Sequence, residues 1–206
     1  MTDQLQLDPT RTALLVMDYQ AGLVHRIPEA EALLQRVNAA ISDVRSLGVH
    51  VGWVRIGFEE DEFDLIPPCS VMARVTSPDR RAEVRATAAA TQIHQELSPQ
   101  PHDIAVRKTR VGAFSTTDLG AQLKGRDVCT LVLAGISTGG VVLSTVREAM
   151  DRDYRIIVLA DACADPDPAT HAFLTGTIFA RHATVIDVAE LPSHLSNSST
   201  TQPRRK

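Results

Sequence analysis

Residues 131–149 read LVLAGISTGGVVLSTVREA, and this stretch decides the fold. It begins as an apolar run of strand length and continues, after a small-residue segment, with apolar residues at helical spacing. A strand that leads through a tight turn into a helix is the building unit of a parallel sheet with crossover helices. The turn at Gly139 and Gly140 is therefore predicted to lie at the edge of such a sheet.

The same alternation of strand and helix extends outward along the chain. Nearly continuous apolar strands indicate a parallel sheet that is covered on both faces. Right-handed crossovers make this a three-layer α/β/α fold with a doubly wound, Rossmann-like, six-stranded and mainly parallel sheet. In such folds ligands bind beyond the carboxyl ends of the strands, where the winding reverses. The predicted strands cover residues 12–17, 49–56, 103–108, 128–134, 155–160 and 184–188.

Helical periodicity fills the intervals between these strands. Apolar residues recur at helical spacing over residues 28–47, and Gly48 suits the end of that helix. The dipeptide Asp167-Pro168 is typical of a helix start and predicts a helix that runs to about residue 181 or 182. Further helices are predicted over residues 77–90, 117–123 and 139–152.

The interval 57–100 has the weakest pattern, and its acidic stretch 58–64 is expected to be solvated surface. No repeat or linker divides the chain, so residues 1–191 are predicted to form a single domain. Residues 192–206 are polar with a basic end, which predicts a disordered tail.

Bulk properties exclude several classes of protein. A chain of 206 residues suits one α/β domain, and a net charge of −4 gives no basic footprint for nucleic acid. No apolar run approaches the ~20 residues that span a bilayer, and the N-terminus lacks a secretory pattern. The cysteines at 69, 129 and 163 fit neither a zinc site nor a disulfide framework, which favours the cytoplasm. Cys129 and Cys163 are expected to be small buried hydrophobic residues.

Polar residues or glycines lie at or just after the carboxyl ends of three predicted strands: Asp18, Lys108 and the pair Gly139-Gly140. Each has an ordinary structural explanation. An aspartate after a strand often caps a helix, a lysine in a basic cluster usually faces solvent, and glycines can merely ease packing. Together, however, they place an acid, a cation and a helix N-terminus on one rim, which suits a small and anionic substrate.

The order and spacing of these segments resemble the isochorismatase-like hydrolases, also called the cysteine hydrolase family. The resemblance extends from Arg11 to about Val188. The matching positions are, in chain order, Asp18 with Gln20, Lys108 with Ala113-Phe114-Ser115, Gly135 with Thr138, and residues 161–165.

The resemblance implies a six-stranded doubly wound sheet with a cis peptide at Ile136–Ser137. It also implies that Asp18 transfers a proton and that Lys108 stabilises charge. The position of the family's nucleophilic cysteine is Val141 here, which can neither attack nor ionise. The residues expected to line the substrate pocket are Gln20, Phe114, Ser137, Thr138, Gly139, Gly140 and Val141.

The resemblance also bears on cofactors and partners. The nicotinamidase branch of the family holds a metal through an aspartate and two histidines after the second strand. Here no histidine lies between His50 and His94, so neither a metal nor another cofactor is expected. Family members are commonly dimers or tetramers, which predicts a homodimer or homotetramer. The histidines at 94, 102, 171 and 182 are expected to be surface or packing residues.

Three functions remain open from the sequence. The favoured one is a cofactor-free hydrolase in which Asp18 and Lys108 provide acid–base catalysis. Vinyl-ether hydrolysis, as in isochorismatase, needs no thiol and leaves Val141 as a pocket wall. The alternatives are an amide or ester hydrolase that uses the hydroxyl of Ser137 or Thr138 or an activated water, and a non-catalytic binding protein. The sequence does not decide whether burial or Lys108 controls the pKa of Asp18.

Overall fold

A computed structural model describes residues 6–195 of the chain. Its strands are β1 (Thr12–Met17), β2 (His50–Ile56), β3 (Ile104–Lys108), β4 (Thr130–Ile136), β5 (Arg155–Ala164) and β6 (Thr184–Ile186). They form one sheet in the order β3-β2-β1-β4-β5-β6, and every neighbouring pair is parallel. The chain winds from β1 out to β3, crosses back to β4, and winds out to β6. This confirms the predicted doubly wound sheet.

The helices are α1 (Ala21–Val24), α2 (Ala30–Ser46), α3 (Met72–Val75), α4 (Arg81–Val84), α5 (Leu119–Lys124), α6 (Leu143–Met150), α7 (Pro168–Phe173) and α8 (Leu191–His194). The side chain of Asp167 caps α7 by accepting from the backbone of the next turn, as its sequence predicts. The helical path continues through the π-helical Leu174–Ile178 and the 3₁₀-helical Phe179–Arg181. Gly48 follows α2 with φ at 82°, a left-handed conformation that favours glycine.

Alternate residues of the central strands pack into two separate hydrophobic cores. In β1, Leu14 and Val16 point into the core beneath α2, whereas Leu15 and Met17 point into the core beneath α5 and α6. All six residues of β1 are buried, because helices cover both faces of the sheet. This burial fixes the strand register, since a slip of one residue would exchange the two faces.

A buried carboxylate ties α2 to the sheet at the amino end of β3. Asp103 Oδ2 accepts from Trp53 Nε1 at 2.8 Å and from Arg45 Nη2 at 2.6 Å. Trp53 is 3% exposed and lies in the core beneath α2. The indole nitrogen therefore has the partner that a buried tryptophan needs.

The helix predicted over residues 77–90 is wrong for most of its length. Only α4 forms there, followed by a 3₁₀ turn at Ala89–Thr91. The reason is that tertiary contacts take the backbone groups that a longer helix would use. The Thr91 hydroxyl donates to the carbonyl of Arg85 at 2.7 Å, and Ala86 N donates to the carbonyl of Phe58 at 2.8 Å.

The predicted disordered tail begins too early in the sequence. The first residues of the predicted tail lie in helix α8. Leu195 is 4% exposed and pairs with Leu7 in a parallel bridge. The remainder of that tail, residues 196–206, lies outside the described residues. Within residues 6–195, every helix is too short or too polar to cross a membrane.

Candidate active site

The site lies where the winding of the sheet reverses. Strand β1 is hydrogen-bonded to β2 on one side and to β4 on the other, and its last residue, Met17, pairs with Gly135. Asp18 therefore follows β1 at the same level as the turn that follows β4. Lys108 is the last residue of β3 and pairs with Ile56 of β2, so its side chain reaches Asp18 across an intervening strand.

Asp18 and Lys108 form a buried ion pair. Lys108 Nζ lies 2.8 Å from Asp18 Oδ2, and the residues are 1% and 5% exposed, respectively. Lys108 Nζ also donates to the carbonyl of Arg110 at 3.2 Å. The second carboxylate oxygen, Asp18 Oδ1, is buried and has no hydrogen-bond partner among the described residues. Burial raises the pKa of Asp18, and Lys108 opposes this rise without cancelling it.

The turn after β4 has an unusual backbone. The peptide Ile136–Ser137 is cis, as the resemblance implies, and Thr138–Val142 forms a π-helical turn before α6. Gly139 N donates to Asp165 Oδ2 at 2.7 Å, and Gly140 N donates to the carbonyl of Ser137 at 3.1 Å. Both glycine N–H groups are thus already bonded within the protein, and contact of Gly139 or Gly140 with a substrate remains a prediction.

The side chains of this turn separate into buried and accessible ones. Val141 is 2% exposed and packs in the core beneath α5 and α6. Thr138 is 0% exposed, and its Oγ1 lies 2.8 Å from His171 Nδ1 on α7. Ser137 is half-buried. Of the two hydroxyls predicted to face a pocket, Ser137 is therefore the accessible one.

A cavity of about 320 Å³ borders Asp165 and His171, the two residues whose side chains contact the turn. Its lining residues are Ile27, Pro28, Glu29, Cys163, Ala164, Asp165, Pro168 and His171. A larger cavity, of about 620 Å³, lies at the amino ends of β4 and β5, where Cys129 and Tyr154 line it. Ligands of doubly wound sheets bind at the carboxyl ends of the strands, where the smaller cavity lies. A third cavity, of about 70 Å³, also lies at this edge and is lined by Gln20, Ile56 and Phe58.

Two predicted pocket residues have other contacts. The Gln20 amide bridges backbone groups: it donates to the carbonyls of Ile56 and Thr91, both at 2.7 Å, and accepts from Ile56 N at 2.9 Å. Phe114 stacks against Tyr154 at 6.0 Å and lines the larger cavity, away from the carboxyl ends. Gln20 therefore stabilises the scaffold around Asp18, and contact of Gln20 or Phe114 with a substrate remains a prediction.

The cysteines and potential metal ligands lie as follows. Cys163 is buried, and burial raises the pKa of its thiol to about 12, so it is not a thiolate nucleophile at neutral pH. Cys129 is half-buried and borders the larger cavity, so the prediction of a fully buried Cys129 is wrong. Within residues 6–195, no group of three or more His, Cys, Asp or Glu side chains could hold a metal ion.

His171 and Asp165 contact the turn after β4, and the sequence reasoning did not predict these contacts. His171 was expected to be a surface or packing residue, but it pairs with Thr138 on the turn. One signal could have found it: α7 follows β5, and the first turns of such a helix lie at the rim where the strands end. The position four residues after the Asp167 cap then falls beside the β4 turn.

Comparisons with known proteins agree with this architecture. The isochorismatase domain family matches residues 12–190. An uncharacterized isochorismatase family protein, YwoC, of Bacillus subtilis is 29% identical over 181 residues, which cover 88% of this chain and 92% of that protein. The ureidoacrylate amidohydrolase RutB of Methylobacterium radiotolerans is 29% identical over 213 residues, with 94% and 83% covered.

Solved structures share the fold. A cysteine hydrolase from Pseudomonas syringae pv. phaseolicola superposes with a TM-score of 0.81 at 23% identity, covering 94% of this chain and 98% of that one. At this identity the similarity shows the fold alone, and the match over residues 12–190 shows the family. The chain therefore belongs to the isochorismatase family of hydrolases.

Proposed function

We propose that this protein hydrolyses a small, anionic substrate by acid–base catalysis, with Asp18 as the proton-transferring group and Lys108 as its charge partner. The observation that carries the proposal is the unpartnered, buried Asp18 Oδ1 beside the lysine ammonium. Burial raises the pKa of Asp18, so this carboxyl keeps its proton to a higher pH than an exposed aspartate does. A carboxyl with a raised pKa is suited to donate a proton in catalysis.

Hydrolysis of a vinyl ether is the reaction that fits this site best. Asp18 donates its proton to the terminal carbon of the enol ether, which leaves an oxygen-stabilised cation at the neighbouring carbon. Water adds to that cation and loses a proton, and the resulting hemiketal breaks into a ketone and an alcohol. Lys108 stabilises the Asp18 carboxylate after the proton has left, because the opposite charge lies within hydrogen-bond distance.

The turn supports a mechanism without a thiol. We propose that Val141 occupies the place of the family's nucleophilic cysteine and acts as an apolar wall. The residue is buried, and a valine side chain offers no atom for covalent attack. We further propose that Ser137, which is half-buried on the same turn, contacts the substrate through its hydroxyl. Self-association and a cytoplasmic location remain predictions from the sequence.

Isochorismate is the probe that tests this function. The parent protein should release pyruvate, and Asp18→Asn should lower the rate by about 10²-fold or more, the usual contribution of a general acid. Asp79→Asn is the matched control, because Asp79 is an exposed carboxylate in the 57–100 region. Equal pyruvate release by the parent and Asp18→Asn would overturn the proposal.

Amide hydrolysis is the second candidate, and the relative named ureidoacrylate amidohydrolase favours it. In that reaction Asp18 would act as a base toward water, or a turn hydroxyl would attack the carbonyl. Ureidoacrylate is the test substrate, and a serine-directed covalent label read by mass spectrometry tests the hydroxyl. Turnover with a label on Ser137 supports a hydroxyl nucleophile, whereas turnover without any label supports water.

A non-catalytic binding protein is disfavoured by the buried ion pair. Two charges removed from water are costly unless they are well compensated, and binding alone gives no reason to keep them. Val141→Cys examines this alternative, with Val141→Ser as a weakly nucleophilic control. Amide hydrolysis by the cysteine variant alone would show that Asp18 and Lys108 still form working machinery, which a decayed site would lack.

A further inference from the structure

Residues that follow β5 contact the turn after β4 at two consecutive positions, Thr138 and Gly139. Thr138 Oγ1 lies 2.8 Å from His171 Nδ1, and Gly139 N donates to Asp165 Oδ2 at 2.7 Å. A Cβ atom added to Gly139 would lie 3.3 Å from Thr170 Cγ2, so α7 also packs directly on the turn. The position of the turn beside Asp18 therefore depends on contacts with α7.

We propose that His171 is a positioning residue of this site: it holds the 137–142 turn through Thr138, and protonation of its imidazole weakens that hold. The inference rests on the proposed function, since the turn follows β4 and Asp18 follows β1, and the ends of these two strands are neighbours in the sheet. His171 acts through Thr138 and touches no reacting atom in this scheme.

The donor and acceptor roles in this hydrogen bond predict how protonation of His171 affects the turn. A neutral imidazole whose Nδ1 lacks a hydrogen accepts the Thr138 O–H, whereas an imidazolium carries a hydrogen on both nitrogens and can only donate. Protonation therefore forces the hydroxyl hydrogen to turn away from His171. Among the described residues, His171 is the hydrogen-bond partner of this buried hydroxyl, so its hydrogen then lacks an acceptor.

The surroundings of His171 allow protons to reach it from one side. The cavity of about 320 Å³ borders the ring. The titratable groups that face it are Glu29 before α2, Cys163 of β5, Asp165 beyond β5, and Asp167 of the α7 cap. The turn 138–142 and the segment 174–178 carry no titratable side chain. Burial lowers the pKa of His171, and Asp165 opposes this, so the imidazole is neutral at neutral pH.

The same geometry argues against Thr138 as a nucleophile with His171 as its base. Thr138 is fully buried, so a substrate carbonyl has no path to its hydroxyl while the turn keeps this conformation. A nucleophile must come within about 3–3.5 Å of the carbon that it attacks. The Thr138–His171 pair is therefore suited to fix the backbone of the turn. The hydroxyl of a hydrolytic dyad, in contrast, must be accessible to the substrate.

Two measurements on the full chain test the proposal. In an NMR titration, the backbone amide signals of the turn should follow the protonation of His171 in the parent. They should not do so in His171→Asn, whose amide reaches the Nδ1 position but does not titrate. Thr138→Val removes the donor to the neutral ring and should raise the pKa of His171 by about half a unit.

Kinetics with isochorismate provide the second measurement. His171→Leu should lower kcat about tenfold with KM nearly unchanged, since the lost bond affects positioning rather than affinity. The parent should lose activity as the pH falls through the pKa of His171. His171→Asn should keep kcat within about threefold of the parent and should not show this acidic loss. A hydrolytic dyad predicts instead that His171→Asn and Thr138→Val are both almost inactive.

The outcomes separate this inference from the proposed function. If Asp18→Asn is inactive but His171→Asn still loses kcat at acidic pH as the parent does, only the role of His171 is overturned. If the parent does not act on isochorismate, the proposed reaction fails, and the NMR titration still decides the coupling of His171 to the turn. Turn signals that ignore the titration of His171 would overturn the inference on their own.

Discussion

Asp18 shows how a single residue acquires its chemistry from its position. Its φ of 59° places it in the left-handed region directly after β1, and its backbone N donates to the carbonyl of Val54 at 2.8 Å. The side chain is then held in the protein interior, where burial outweighs the nearby Lys108 and raises the pKa of the carboxyl. The protonated form of Asp18 therefore persists to a higher pH than that of an exposed aspartate.

The pH dependence of vinyl-ether hydrolysis follows from the direction of this shift. A general acid works only while protonated, so kcat for isochorismate should fall as the pH rises through the pKa of Asp18. Because that pKa is raised, the fall should occur on the alkaline side of ~4, the usual value for aspartate. Steady-state rates across a pH series measure it, and the profile of Asp79→Asn should superimpose on that of the parent. A rate that rises through the same range would assign Asp18 as a base.

At the residue scale the sequence predicts positions better than contacts. Asp18 follows the first predicted strand and Lys108 ends the third, so their proximity at one edge of the sheet follows from the fold. The Thr138–His171 pair joins positions 33 residues apart that share no periodic pattern, and the balance of burial against Lys108 has no sequence signature. Both depend on three-dimensional packing, which a single chain pattern does not contain.

The acidic segment Glu60–Leu65 illustrates the same limit for an element. It forms a 3₁₀ helix whose acidic residues are mostly exposed, as predicted, but whose Phe63 is 3% exposed. Arg107 of β3 binds Glu62 through two hydrogen bonds, at 2.6 and 3.2 Å. The segment is therefore fixed to the sheet by a buried aromatic ring and a bidentate ion pair.

Replacing Glu62 by Gln should weaken this attachment. Partial burial acts to raise the pKa of Glu62, but hydrogen bonds from Arg107 and from the backbone of Glu59 lower it overall. A depressed pKa stabilises the folded state above the unfolded pKa of ~4.5, and this stabilisation is lost as the pH falls through the folded value. Glu62→Gln should thus lower the free energy of unfolding by about 1 kcal/mol at pH 7.

Urea denaturation at pH 7 and pH 3 measures this difference. The parent and Glu62→Gln should differ at pH 7 and approach each other at pH 3, because the Glu62 carboxylate takes up a proton as the pH falls through its lowered pKa. Glu31→Gln serves as the control because Glu31 is an exposed glutamate on α2. A difference that persists unchanged at pH 3 would assign the effect to packing rather than to charge.

At the scale of the whole molecule, the Asp18–Lys108 pair spans three strands of the sheet. It connects the ends of β1 and β3 across β2, the strand between them. The sheet itself was predictable because each strand is an apolar run between helical patterns. The interval 57–100 was not, because its short helices are held by tertiary contacts such as those of Thr91 and Gln20.

Breaking this pair from one side should destabilise the whole domain. Lys108→Met leaves the Asp18 carboxyl buried without its counter-ion and should lower the free energy of unfolding by about 3 kcal/mol at pH 7. The double variant Asp18→Asn/Lys108→Met removes both charges and should recover much of that loss. Urea unfolding followed by circular dichroism provides the comparison. A double variant less stable than Lys108→Met would contradict this account of the pair.

Trp53 gives the protein an optical property that follows from its buried contact with Asp103. It is the sole tryptophan of the chain, and it is 3% exposed within the sheet. Its fluorescence therefore comes from one defined, water-shielded place, with a carboxylate 2.8 Å from the indole nitrogen. Unfolding exposes that ring to water, so the wavelength of maximum tryptophan emission reports whether the central sheet is folded, without any added dye.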